Sequence, residues 1–314
     1  MITVIAGGTG SAKLVRALGR QIQDLYVISN VADNFWHLGL YICPDIDTII
    51  YALSGNLDLK RGWGIKGDSF NFLKYVSYLG YETWFNIGDK DLTTHVIRTK
   101  MMREGYSLSS VTESLAKKYG LSAKIIPVTD DHVETRVLTK EGQMHLQEFW
   151  VKNCGKLKPL GIKYEGLESA SVNQKAIQAI DRADIILIAP GNPVSSIGPI
   201  ISHKSIESVL IRNRKRVLAV SPIIGTRAIS GPAIKFMRAS GIDASVTGVA
   251  SYYKKFLSTF IISSLESRIT ESRLKKFGIK VRKANILMDN EKNENNLARL
   301  AIASVRNGHG RSVA

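Results

Sequence analysis

Cysteine is scarce in this chain: only Cys43 and Cys154 occur. That excludes a disulfide framework and a cysteine metal cluster, and makes a reducing cytoplasm the expected location. No run approaches the roughly 20 apolar residues that cross a bilayer, so no membrane partner is expected. The opening residues Met1–Ala6 run straight into a strand, without the basic start and long apolar stretch of a signal peptide. Internal repeats and low-complexity linkers are also missing. Acidic residues are few, 27 against 43 basic ones, which leaves a net charge of +16. Such an excess favours anionic partners, among them nucleotides and phosphorylated metabolites. The densest basic cluster, Arg212-Asn213-Arg214-Lys215-Arg216, has no interleaved aromatic residues. It reads as a helix end and loop, and no nucleic-acid partner is expected.

What is present is a chain of 314 residues, 44% of them hydrophobic, enough for a sizeable core. Apolar runs at Ile2–Ala6, Leu25–Ile28, Ala123–Pro127, Ile185–Ala189, Val217–Val220 and Thr259–Ile262 read as strands, with a late strand at Lys280–Arg282. Helical spacing follows the first strand, fills most of the stretch from 47 to 118, and returns at Glu291–Val305. Glu134–Thr139 and Met144–Val151 flank a turn and read as a β-hairpin, and 307–314 reads as a frayed tail. The expected fold is α/β: a Rossmann-like, doubly wound, mainly parallel sheet in a single domain 1–314. A helical insertion at about 46–120 would cover the substrate. In such sheets ligands bind beyond the carboxyl ends of the strands, at the switch in strand order.

Each special loop follows an apolar strand. Gly7-Gly8-Thr9-Gly10 follows the first, with Ser11 and Lys13 just beyond. Glycines let backbone N–H groups approach a phosphate, and Thr9 and Lys13 can add contacts. The loop is not a Walker A motif, because Ala12 stands where a second glycine is needed. Nor is it a complete dinucleotide fingerprint, since Ser29 and Asn30 occupy the place of the ribose-binding acid. Cys43-Pro44-Asp45-Ile46-Asp47-Thr48 then puts two carboxylates at a helix start over Ile46–Ser54, where they serve either as caps or as metal and hydroxyl ligands. Together with Asp33, they suit Mg²⁺ on a nucleotide phosphate. Gly88-Asp89-Lys90-Asp91 offers Asp89 and Lys90 as ligand candidates, with Asp91 a cap for the helix that carries His95 and Arg98. Gly191-Asn192-Pro193 and Ser221-Pro222-Ile223-Ile224-Gly225 place amide and hydroxyl groups after two later strands, which suits phosphate or base recognition as well as plain turns.

Taken in order, these segments resemble the 2-phospho-L-lactate transferase (CofD) family of coenzyme F-420 biosynthesis. Arg61-Gly62-Trp63-Gly64, Asp130-Asp131, Ser196-Ile197-Gly198-Pro199 and Ser230-Gly231-Pro232-Ala233 extend the match over roughly residues 1–260. The resemblance implies a dimeric, Mg²⁺-dependent enzyme. It would move a phospholactyl unit from lactyl-2-diphospho-5′-guanosine to the ribityl hydroxyl of the deazaflavin Fo, releasing GMP. In bacterial relatives the donor carries phosphoenolpyruvate instead. By the resemblance, Asp45 and Asp47 lie at the metal and the Fo hydroxyl, with Asp33 assisting the metal. Asn86, Asp89 and Lys90 then fall on the Fo side. The Gly7–Gly10 loop, Lys13, Asn192 and the residues Ser221, Pro222 and Gly225 fall on the nucleotide side. Asn34, Asn86, Ser263 and Glu266 depart from residues that relatives often carry there. A non-catalytic nucleotide-sugar-binding regulator of the gluconeogenesis-factor (YvcK-like) type is the alternative, since it shares the glycine-rich start and similar late loops.

Overall fold

In the computed structural model the described residues are 1–306, so the tail expected over 307–314 lies outside them. The chain opens with β1 (Ile2–Ala6), α1 (Gly8–Gly19) and β2 (Leu25–Ser29). A short hairpin of β3 (Phe35–His37) and β4 (Leu40–Ile42) leads into four helices: α2 (Pro44–Leu53), α3 (Asn71–Tyr78), α4 (Asp89–Arg103) and α5 (Leu108–Lys118). After β5 (Lys124–Pro127) comes an antiparallel sheet of β6 (Glu134–Thr139), β7 (Gly142–His145) and β8 (Gly161–Glu165). The second half adds β9 (Ile185–Ile188), β10 (Val217–Val220), a ribbon of β11 (Ile223–Ile224) and β12 (Arg227–Ala228), β13 (Thr259–Ser263) and β14 (Lys280–Ala284). Helices lie between them, and Glu291–Arg306 forms the last one described.

Seven strands make the central sheet in the order β14-β13-β10-β9-β1-β2-β5, and every pairing is parallel. Strand order reverses between β1 and β9, so the switch crevice opens where these two strands end. β1, β9, β10 and β13 are buried along their whole length, which is why each reads as an unbroken apolar run. The parallel, doubly wound expectation therefore holds.

One strand expectation changes. The strand expected over Met144–Val151 stops at His145, and Glu148–Lys152 coils into a π-helical turn that buries Phe149. The basic cluster around 214 is structural. Arg214 Nε donates to the Leu257 carbonyl at 3.2 Å and Arg216 Nη1 to the Ala183 carbonyl at 2.7 Å, while Arg212 pairs with Asp181 at 3.0 Å. These groups hold the entry to β10, as a helix end and loop.

Candidate active site

A cavity of about 350 Å³ opens at the β1/β9 switch. That lies within the roughly 300–1,000 Å³ usual for small-molecule sites. Its walls come from distant parts of the chain. Gly8, Thr9 and Gly10 line it together with Gly191, Asn192, Ser195, Ser196 and Ser230–Pro232. The floor is acidic, from Asp33, Asp45, Asp47 and Asp91. The outer rim is aromatic, from Trp63, Phe85 and Trp150.

The two glycine turns pack against each other so tightly that side chains are excluded. A Cβ on Gly7 would sit 2.8 Å from both Asp45 Oδ2 and the Ser196 carbonyl, and one on Gly191 would sit 2.7 Å from the Gly7 carbonyl. Gly8 has φ +75°, a left-handed conformation that glycine adopts without strain, and starts α1 there. The positive end of α1 thus faces the cavity. Asn192 accepts from the Val194 and Ser195 N–H groups at 3.0 and 3.3 Å, while its buried Nδ2 has no partner within the described residues.

Asp45 does not cap α2, which has no side-chain cap. Instead it accepts from Asn30 Nδ2 at 2.9 Å. Burial pushes its pKa up to about 6, although Asn30 and the Gly8 N–H pull the other way. Asp33 is also buried, with Thr135 Oγ1 at 3.5 Å. Its pKa is raised well above the ordinary range, first by burial and then by the charge of Asp45. Among the described residues no cationic side chain acts on either carboxyl. Two buried carboxylates that repel each other and face a cavity fit a divalent cation.

Asp47 sits differently. Arg98, fully buried on α4, donates Nη1 to Asp47 Oδ2 at 3.0 Å and Nη2 to Oδ1. Burial opposes the Arg98 charge, but Asp47, Cys43 and Tyr51 raise its pKa further. Burial also raises Asp47, with Arg98 and His95 acting downward. His95 lies between two carboxylates, Nδ1 3.6 Å from Asp47 and Nε2 3.4 Å from Asp91. Tyr51 donates to Asp91 Oδ1 at 2.6 Å. Asp47, Asp91 and His95 also form a metal-compatible cluster. There Arg98 already neutralises Asp47 and Tyr51 already engages Asp91, which makes the Asp33/Asp45 pair the better cation site.

Not every sequence candidate reaches the cavity. Asn86 does. Lys13 does not, since its Nζ donates to the Met288 carbonyl at 2.9 Å. Asp89 accepts from Ser69 Oγ at 2.6 Å and from the Asn71 and Phe72 N–H groups at 3.0 and 2.9 Å, capping α3. Lys90 Nζ donates to the Gly67 carbonyl at 3.0 Å. Asp91 is not the cap of α4: Asp68 fills that place, accepting from the Lys90 and Asp91 N–H groups at 2.8 and 3.0 Å. Ser221 donates to the Ile223 carbonyl at 2.7 Å inside its own turn, Gly225 N–H donates to Glu266 Oε1 at 2.5 Å, and neither they nor Pro222 line the cavity. Asn34, Ser263 and Glu266 are buried and also stand outside the lining. Arg98, Tyr51, Phe85, Gln147 and Trp150 are among the site groups that sequence reasoning missed.

The fold and cavity define a Rossmann-like α/β enzyme with a glycine-lined crevice and a carboxylate pair at the strand-order switch. A family model, 2-phospho-L-lactate transferase CofD, matches residues 2–302. The chain therefore belongs to the CofD transferase family. It is 40% identical over 301 residues to a 2-phospho-L-lactate transferase of Methanosarcina acetivorans, covering 95% of this chain and 97% of that one. It is 35% identical over 297 residues to a phosphoenolpyruvate transferase of Nocardia farcinica, covering 91% and 89%. A solved structure of a UPF0052 family protein from Bacillus halodurans superposes with a TM-score of 0.65 over 96% of this chain and 98% of its own, at 13% identity. That likeness supports the fold alone. No helix among the described residues is long and apolar enough to cross a membrane.

Proposed function

We propose that the protein transfers the 2-phospholactyl group of lactyl-2-diphospho-5′-guanosine to the ribityl hydroxyl of the deazaflavin Fo, giving F-420-0 and GMP with Mg²⁺. The observation that carries this reading is the buried Asp33/Asp45 pair set directly beside the glycine turns in one cavity, with Asp45 Oδ2 2.8 Å from where a Cβ on Gly7 would stand. The 40% identity to an enzyme named for phospholactate supports that donor over phosphoenolpyruvate. The family resemblance extends the reading to a cytoplasmic homodimer, which light scattering on the purified protein checks for oligomeric state.

The chain's own groups divide the work. The Gly8–Gly10 N–H groups and the start of α1 receive the donor's phosphates, with the free Asn192 Nδ2 as a further donor. Asp33 and Asp45 would hold Mg²⁺, which when bound neutralises charge on the diphosphate. Asp47, fixed by both arms of Arg98, orients the acceptor hydroxyl toward phosphorus. Its burial-raised pKa favours accepting the hydroxyl proton. The aromatic rim shields the reacting atoms from water.

The test is to incubate the protein with Mg²⁺, Fo and each guanosine diphospho-donor, and to follow GMP and Fo by chromatography. Fo-dependent GMP release is expected, faster with the phospholactyl donor. No turnover by folded protein with either donor would overturn the proposal.

A further inference from the structure

The insertion helix α4 buries an unusual face. Its buried residues are Asp91, Thr94, His95, Arg98 and Thr99, every one of them polar or charged. Burying such groups costs free energy unless each is paired, and apolar residues of similar volume often serve stability as well or better. Stability alone therefore does not account for this face. Asp91, His95 and Arg98 stand at i, i+4 and i+7, a single stripe of the helix. Asp47 and Tyr51, at i and i+4 on α2, meet that stripe.

The contacts run in one direction. Tyr51 Oη donates to Asp91 Oδ1 at 2.6 Å, and His95 Nε2 stands 3.4 Å from the same oxygen. The other ring nitrogen, Nδ1, lies 3.2 Å from Arg98 Nη1. A guanidinium has hydrogens to give and no lone pair to receive one. In this contact Nδ1 therefore accepts, and the ring hydrogen sits on Nε2, toward Asp91. Arg98 in turn grips both oxygens of Asp47. Tyr51, Asp91, His95 and Asp47 line the cavity, whereas Arg98 is wholly buried and stands outside the lining.

We infer that His95 and Asp91 are positioning residues of the transfer: Asp91 fixes the tautomer of His95, His95 fixes Arg98, and Arg98 holds Asp47 toward the acceptor hydroxyl. The inference rests on the role given to Asp47 above. A guanidinium bound to one carboxylate can still rock about it, and the contact to Nδ1 removes that freedom. The rocking matters because a misplacement of about 1 Å in a reacting geometry costs on the order of 100-fold in rate. Folding depends on the imidazole less than turnover does. Without it Asp47 keeps Arg98 and Asp91 keeps Tyr51, so neither carboxylate loses its last partner.

The experiment compares wild type, H95L, H95N, D91L and D91N by Fo-dependent GMP release, with GDP calorimetry giving the active fraction of each preparation. Per active molecule, kcat of H95L is expected to fall about 10- to 100-fold while both KM values stay within about threefold. H95N, whose Oδ1 can replace Nδ1 as the acceptor for Arg98, should recover most of the loss. D91L should follow H95L, and D91N, which keeps Oδ1 for Tyr51 and the ring, should lie nearer wild type. A merely structural role would lower the melting temperature and the active fraction and leave kcat per active molecule intact. Nitrogen NMR of histidine-labelled wild type should show His95 with its hydrogen on Nε2. Wild-type kcat in folded H95L would overturn the inference, as would H95N as impaired as H95L, a loss confined to KM, or a hydrogen on Nδ1. If H95L misfolds, the D91L and D91N pair and the NMR decide by the same criteria. Wild-type protein that binds GDP but releases no GMP with Fo would remove the proposed reaction, and this inference with it.

Discussion

Arg98 and Asp47 meet as a two-pronged ion pair with the guanidinium wholly buried, joining α4 to the first turn of α2. The pair fixes a carboxylate that faces the cavity. Removing one partner strands the other's charge in a low-dielectric interior. R98A should therefore lose about 3–5 kcal/mol of stability, measured by urea unfolding. The double variant D47N/R98M should recover a good part of that loss, while remaining inactive. An R98A protein as stable as wild type would show that the pair does not bind the insertion to the sheet.

The Asp33/Asp45 pair predicts an unusual pH response. Asp45 titrates near pH 6 in the folded chain and near its ordinary value when unfolded. The raised value means that folding favours the protonated form. Its stabilising contribution is complete below about pH 4 and is lost as pH rises toward about 6. In EDTA, the melting temperature should fall across that window. Mg²⁺ at pH 7.5 should restore it, and D45N should flatten both effects. A Mg²⁺-insensitive melting curve in the wild type would remove this pair as the metal site.

Gly88 is needed where it stands. Any Cβ there would overlap the Asp68 carboxylate, which caps α4. G88A should cost about 1–2 kcal/mol, the range of a lost cap, and should raise hydrogen exchange in the first turn of α4. Because Asp89 of that turn caps α3 in return, the α3 amides Asn71 and Phe72 should exchange faster too.

Lys13 offers a contrast between motif and placement. Its ammonium is engaged by the Met288 carbonyl, so K13M should leave turnover and donor KM nearly unchanged. Stability should drop by about 1 kcal/mol, as for one lost hydrogen bond. A large fall in donor affinity would mean that Lys13 swings into the cavity when the donor binds.

The readable part of this fold was the part buried on both faces. β1, β9, β10 and β13 announce themselves because every position is apolar or small. β8 was missed because Gly161–Glu165 lies at the edge of a small sheet and is only partly buried. Met144 and Leu146 begin the two-residue period of a strand, yet burial of Phe149 and a wound π turn won there. At the site, glycines and paired carboxylates were readable, since few other residues make such turns and charge pairs. Arg98, Lys13 and Asp89 were not, because a charged side chain's sequence position says nothing about which way it points. For Trp150 the sequence held no signal at all: the glycine that seats it is five residues on, and their contact exists only after folding.

The parallel pairing of Ile2 with Ile185 has a consequence for how the protein comes into being. The two glycine turns of the crevice hang from β1 and β9, and nearly two hundred residues must be synthesised before the first can meet the second. A nascent or truncated chain ending before β9 holds one of the two glycine turns and no switch crevice. Such long-range pairing is slow to form. Ligand affinity in this protein is thus a late-arriving property, acquired only when the two halves of the sheet have joined, and substrate binding reports completed assembly of the whole.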